Sequence, residues 1–256
     1  MKSIIKIYNF LLKLILPTRC VSCDITLDDD AGLCQKCWNK IHFISGIICV
    51  KCGYPLEFDL SDGKNNMLCG KCLTHKTSFD SARSVCSYGD ITGKFIGRLK
   101  YGDNLHIAKF IAKSMLPTFL QHYPDCTIIC PVPMHKTALK KRTFNQSALI
   151  IVMLIKMLKK HNIIIKYIPD LLQKIKITQK QNKLTRKQRL ENVKGSFAVN
   201  IKYNIRKQKI IILDDVITTG ATVNECAKMF KKYDKTAKVH IISYARTTLS
   251  SIDYDN

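Results

Sequence analysis

The chain has 256 residues, enough to bury the core of one medium domain and to carry a small module beside it. Hydrophobic residues make up 46%, ordinary for a soluble protein, and no segment approaches the apolar length needed to span a bilayer. The formal charge of +23 favours anionic partners: nucleic acid, phosphorylated metabolites or an anionic membrane surface.

Lysines number 34 and arginines 8, so genomic base composition offers a second source for that charge. In residues 1–16, Ile4, Tyr8, Leu11, Leu12 and Ile15 recur at helical spacing, with Lys6, Asn9 and Lys13 opposite them. The pattern predicts an amphipathic helix packed on the body, with attachment to a membrane surface as the alternative. Lys13 interrupts the apolar run and no small-residue cleavage site follows, so the segment does not read as a secretion signal and a cytoplasmic location is expected.

Over residues 17–76, eight of the twelve cysteines fall into four Cys-x-x-Cys pairs: Cys20/Cys23, Cys34/Cys37, Cys49/Cys52 and Cys69/Cys72. Two residues between thiolates let both reach one metal from a tight turn, and two pairs complete a tetrahedral Cys₄ site. A single pair would also suit a redox motif, but four in succession predict a double zinc ribbon with two structural Zn²⁺ ions. Sequential pairing joins Cys20, Cys23, Cys34 and Cys37, then Cys49, Cys52, Cys69 and Cys72; interleaved pairing is the alternative. Gly53 and Gly70 suit the sharp turns of such knuckles. Trp38 reads as a packing anchor, with base stacking as its alternative. Cys86, Cys126, Cys130 and Cys226 stand in apolar or helical surroundings and read as small buried residues.

From Phe79 to about residue 250, strand and helix patterns alternate, which predicts a parallel α/β sheet with flanking helices. Strands are expected at 84–88, 127–132, 163–168, 210–213 and 239–244, and helices at 90–99, 104–120, 145–159 and 223–231. Asn145 is a candidate helix cap. Residues 170–209 are basic and polar with little core pattern, apart from a capping box at Thr185 to Gln188 that opens a short helix ending near Lys194.

The run Ile210-Ile-Ile-Leu-Asp-Asp-Val-Ile-Thr-Thr-Gly-Ala-Thr222 is the most specific segment of the domain. A buried strand carries Asp214 and Asp215 to its carboxyl end, where open α/β sheets place their ligands. Thr218, Thr219, Gly220, Ala221 and Thr222 then face the positive end of a helix, a site for phosphate. Acids beside a phosphate nest suit a sugar phosphate, because carboxylates accept hydrogen bonds from ribose hydroxyls; a plain capping turn is the bland alternative. Neither a Walker loop nor a dinucleotide fingerprint is present: Gly89-Asp-Ile-Thr-Gly93-Lys94-Phe95 falls one residue short and lacks the metal-binding hydroxyl.

The Leu213–Thr222 motif resembles the signature loop of type I phosphoribosyltransferases, which bind phosphoribosyl pyrophosphate. Almost the whole chain is similar to the bacterial ComF family of competence-associated proteins. The further matches are the cysteine pairs, Arg98-Leu-Lys-Tyr-Gly102, Pro131-Val-Pro133, Arg142-Thr-Phe-Asn-Gln146, Gln181-x-x-Leu184, Arg189-x-x-Asn192 and Phe197. Thr143 stands where the family usually has glycine, and Lys174 and Lys176 where it more often has arginine. The resemblance implies a type I phosphoribosyltransferase-like domain behind a Cys-rich double zinc ribbon. It implies Asp214 and Asp215 on the ribose, Thr218–Thr222 on the 5-phosphate, and a pyrophosphate loop carrying Lys136, Lys140 and Arg142. Mg²⁺ would accompany the pyrophosphate, and a closing loop would bring Lys174, Gln181 and Arg189 to the substrate. An acceptor that displaces pyrophosphate is implied but not identified. The family association also implies single-stranded DNA and other competence proteins as partners, with a non-catalytic DNA-handling or docking module as the alternative function.

Overall fold

The structure, a computed structural model, describes residues 18–27, 32–57, 67–101, 105–142, 144–178 and 185–248. The helix expected over residues 1–16, Thr143 and Gln181 lie outside the described residues. In chain order the elements are α1 (Gln35–Trp38), α2 (Gly70–Thr74), β1 (Ser81–Ser87), α3 (Asp90–Tyr101), α4 (Leu105–His122), β2 (Ile128–Pro131), α5 (Lys136–Arg142) and α6 (Gln146–Leu158). They continue with β3 (Lys166–Tyr167), β4 (Leu172–Lys174), α7 (Arg186–Val193), β5 (Phe197–Val199), β6 (Lys209–Ile217), α8 (Ala221–Tyr233) and β7 (Lys238–Arg246).

The main sheet has the spatial order β1-β7-β6-β2-β3, and every pair in it is parallel. Strand β6 lies at its centre, so both faces of the isoleucine run are buried, which is why that run does not alternate. Ile211 and Leu213 pack with Phe95, Phe110, Ile150 and Tyr244 on one face. Ile210 and Ile212 pack with Phe230, Cys226, Val239 and Phe197 on the other. The strand continues past Leu213 to Ile217, so the two aspartates lie within its paired length instead of beyond it. Strand β3 is shorter than the periodicity suggests, because at the sheet edge it has β2 alone to pair with among the described strands.

Segment 170–209 is better packed than its sequence suggests. Strands β4 and β5 form an antiparallel pair, and Leu171, Leu172, Val193, Phe197 and Ile205 are buried. These apolar residues are too far apart in sequence to make a period, and the pairing of the strands collects them. The capping box is formed as expected: Gln188 N–H donates to Thr185 Oγ1 and Thr185 N–H to Gln188 Oε1. Asn145 likewise caps α6, accepting from Ala148 N–H.

The cysteine-rich region covers the outer edge of β1. Ile44 N–H donates to Val85 O at 2.9 Å, Ser87 N–H to His42 O at 2.8 Å, and Ala82 N–H to Lys51 O at 2.8 Å. An edge strand left bare would offer these groups to another chain; here they are satisfied from within. Gly53 has φ +67, and a Cβ there would meet Ala82 O at 2.4 Å, so this close approach requires glycine. Gly70 differs from expectation: it is the first residue of α2, with open space around it and no positive φ.

Candidate functional site

Each cysteine knuckle is built from two devices. The first pair sits on a tight turn in which Asp24 N–H donates to Cys20 O and Gly53 N–H to Cys49 O. The residue after each pair, Asp24 at φ 62 and Gly53 at φ 67, takes the left-handed conformation the turn needs. The second pair sits on a helix start: Cys34 and Cys69 are the N-cap residues of α1 and α2, with Cys37 and Cys72 one turn along. In each set the four sulfurs lie within 4.8 Å of one another, which settles the pairing as sequential. Cys23 and Cys34 sulfurs are 3.7 Å apart, and those of Cys52 and Cys69 3.6 Å. A tetrahedral Zn²⁺ with bonds of about 2.3 Å sets its sulfurs about 3.8 Å apart, so both sets fit zinc. With four thiolate ligands and no open place, these are structural centres. The hydrogen bond from Cys52 holds the Cys49 thiol down at about 4, so a thiolate is favoured at the centre of the second set. By contrast, burial pushes Cys86 and Cys126 up to about 12 and Cys130 higher still, as expected of inert core thiols.

The loop after β6 presents the second centre of chemistry. Gly220 has φ +77 and is the N-cap of α8, so the chain turns through a conformation that favours glycine directly into the helix. The first-turn N–H groups of α8 therefore face the loop. Asp214 Oδ1 accepts from Asp215 N–H at 3.0 Å, and Asp215 Oδ1 accepts from Val216 N–H at 2.9 Å. Asp215 also pairs with Lys100 Nζ at 3.1 Å. Burial, followed by the charge of Asp215, raises the Asp214 carboxyl well above the usual carboxylate range. Residues Thr218, Thr219 and Gly220 remain partly or fully exposed.

Helix α5 follows β2, the parallel neighbour of β6, so Lys136, Lys140 and Arg142 rise from the same sheet edge as the loop. The basic stretch expected as a loop is thus mainly helix. Lys136 and Lys140 are exposed and Arg142 is half-buried. Arg189 on α7 borders a cavity shared with Thr218, Thr219, Gly220 and Ala221. Lys174 is not brought to that cavity: its ammonium donates to Thr178 Oγ1 at 2.7 Å and lies 5.8 Å from the centre of the Phe197 ring.

Three residues near the loop were given no contact by the sequence pattern, although Lys100 lies in one of its motifs. Lys71 of α2 donates to Thr219 O. Arg246, at the end of β7, donates to Cys52 O at 2.5 Å and lies over the Tyr54 ring, 5.0 Å from its centre. Lys100 pairs with Asp215 while Arg98, two residues earlier, reaches the first knuckle at Asp24 Oδ1 (2.7 Å) and Val21 O (3.1 Å). The Arg98-Leu-Lys motif therefore links one zinc knuckle to the acid pair, with Leu99 buried between them. Its spacing was visible in the sequence; its two opposite partners were not.

A parallel-sheet α/β domain with a strand–acid pair–glycine turn–helix loop, fronted by two Cys₄ knuckles, defines the class: an α/β protein with an N-terminal double zinc ribbon. Residues 11–73 match the family model of the double zinc ribbon domain. Over most of its length the chain is similar to ComF-type competence proteins. Competence protein F of Haemophilus influenzae is 27% identical over 223 residues, covering 84% of this chain and 91% of that protein. Competence protein ComFC of Bacillus subtilis is 25% identical over 229 residues, covering 86% and 87%. The DNA utilization protein YhgH of Escherichia coli K12 is 25% identical over 223 residues, covering 84% and 91%. Similar solved structures include a hypoxanthine phosphoribosyltransferase from Staphylococcus aureus, 12% identical, covering 58% of this chain and 69% of that one, TM-score 0.36. Another is adenine phosphoribosyltransferase from Saccharomyces cerevisiae, 14% identical, covering 68% and 91%, TM-score 0.34. Among the described residues no helix is long and apolar enough to cross a membrane.

Proposed function

We propose that the chain binds phosphoribosyl pyrophosphate with Mg²⁺ and transfers its phosphoribosyl group to an acceptor, in the setting of DNA uptake. The observation that carries this is the acid pair of β6 followed, through left-handed Gly220, by the start of α8. Thr218–Thr222 would hold the 5-phosphate on first-turn N–H groups and hydroxyls, and Asp214 and Asp215 the ribose hydroxyls. Lys136, Lys140 and Arg142 supply cations for the leaving pyrophosphate. Asp214 and Asp215 are the hard oxygen donors that would hold Mg²⁺, which would supply positive charge for the leaving group. In the transfer, the acceptor's lone pair forms the bond to the anomeric carbon as the bond to pyrophosphate breaks, and pyrophosphate departs with the bonding pair. Arg189, and Gln181 beyond the described residues, belong to the segment that would close over this centre and exclude water. Lys174 would have to leave Thr178 to join them.

A second reading keeps the same fold as a DNA-handling or docking module. It is favoured by the charge of +23 and by relatives named for competence and DNA utilization.

The transferase reading is tested by thermal unfolding of the zinc-loaded chain with phosphoribosyl pyrophosphate and Mg²⁺. A ligand at a hundred times its Kd stabilises by about 2.7 kcal/mol, so melting should rise by several degrees. Gly220→Ala, which places a Cβ at φ +77, should cost the fold roughly 1–2 kcal/mol with or without the ligand. No shift in the native chain would count against the reading.

A further inference from the structure

A groove of about 640 Å³ lies where the first zinc knuckle meets the α/β domain, and no residue of the loop after β6 lines it. Leu33, Trp38 and Phe43 form its ribbon side, and Phe110, Pro117 and Thr118 of α4 form the other. The Trp38 and Phe43 ring centres are 5.0 Å apart, and the two residues remain 44% and 37% exposed. Adjacent aromatic side chains left partly in water mark a surface that awaits a partner. Lys113 is the one charged residue in the lining among the described residues. The groove therefore offers little to a phosphate backbone and suits an apolar occupant.

Residues 1–17, outside the described residues, carry such an occupant. Ile4, Tyr8, Leu11, Leu12 and Ile15 repeat at helical spacing. A helix of that length is marginal in water by itself and needs a surface for its apolar stripe. The match to the double zinc ribbon model begins at residue 11, so Leu11, Leu12 and Ile15 belong to the module that forms one side of the groove. The point of entry is also close. The described chain begins at Thr18, three residues before Val21, whose N–H donates to Gly32 O at 2.8 Å. Leu33, the next residue, lines the groove, and a Cβ at Gly32 would meet the Phe110 ring at 2.5 Å. Three residues span at most about 10 Å. A helix from Ile4 to Ile15 would be about 17 Å long, so its stripe is within reach of the groove.

We propose that residues 1–16 lie in this groove of their own chain, with Leu11, Leu12 and Ile15 against Trp38, Phe43 and α4, and Lys6 and Lys13 facing water. The segment then ties the ribbon to the α/β domain and withholds the Trp38–Phe43 pair from other partners. This assignment does not rest on the transferase reading.

Trp38 is the only tryptophan of the chain, so its fluorescence reports on the groove directly. In the full zinc-loaded chain it should be protected from quenching by acrylamide. Leu11→Asp/Ile15→Asp should raise the quenching constant severalfold and shift the emission to the red, with zinc content unchanged at two ions. Thr118→Arg obstructs the groove from the α4 side, leaves the segment itself intact, and should have the same effect. Lys13→Ala, on the opposite face of the stripe, should change neither quantity. Equal quenching in the native chain and both groove variants would overturn the proposal. So would protection that grows with protein concentration, which would place a second copy in the groove. Protection that appears only with single-stranded DNA or only with anionic lipid vesicles would overturn it as well, assigning Trp38 to stacked bases or to a membrane surface.

Discussion

At the scale of single residues, the acid pair sets the proposed ribose contact against stability. Asp214 is held where burial and Asp215 disfavour its charge, and Lys100 relieves only part of this. A carboxyl whose folded pKa is raised binds its proton more tightly in the native state, so ionising it at neutral pH destabilises the fold. The sign follows: stability falls as pH rises from the unfolded value of about 4 through the raised folded value. Asp214→Asn removes that dependence and should raise the melting temperature at pH 7, each kcal/mol relieved being worth about 2–4 °C. The same substitution should abolish binding of phosphoribosyl pyrophosphate, because an amide is a poor acceptor for paired ribose hydroxyls. A Tm that falls in Asp214→Asn, measured by calorimetric scans at pH 5 and pH 7, would show that Asp214 is a structural residue.

At the scale of elements, the second knuckle supports the loop. Lys71 on α2 holds Thr219 O, and Arg246 holds Cys52 O across the gap. Cys69→Ser should therefore lower zinc content from two ions to one and weaken phosphoribosyl pyrophosphate at least about tenfold through loss of loop support. Cys34→Ser, in the knuckle tied to Arg98, should act more on stability than on affinity. Equal affinities in both variants, with zinc measured by a chromogenic chelator, would remove this role. Much of this level was legible beforehand. The Cys-x-x-Cys spacing gave the eight ligands, though not which pairs share an ion, and the isoleucine run with its acids and glycine gave the loop, because both depend on neighbours in sequence. The antiparallel pair β4 and β5 was not legible, since Leu172 pairs with Val199 across 27 positions (199 − 172). Nor was the contact of Arg246 with Cys52, a pairing that only the fold brings together.

At the scale of the whole molecule, a phosphate site and a polyanion surface are two uses that the charge of +23 would suit. These differ in their response to salt. Single-stranded DNA bound along a basic surface should weaken with a slope of about −0.7 in log K against log salt for each phosphate neutralised. A slope near zero in fluorescence anisotropy titrations would leave the charge without a nucleic-acid role. The central claim is more local. Calorimetric titration of phosphoribosyl pyrophosphate, with and without Mg²⁺, on the native chain and on Asp214→Asn/Asp215→Asn tests it most directly. The account predicts saturable, Mg²⁺-dependent binding in the native chain and none in the double variant. A folded, zinc-loaded native chain that binds no phosphoribosyl pyrophosphate, or a double variant that binds it equally well, would contradict it.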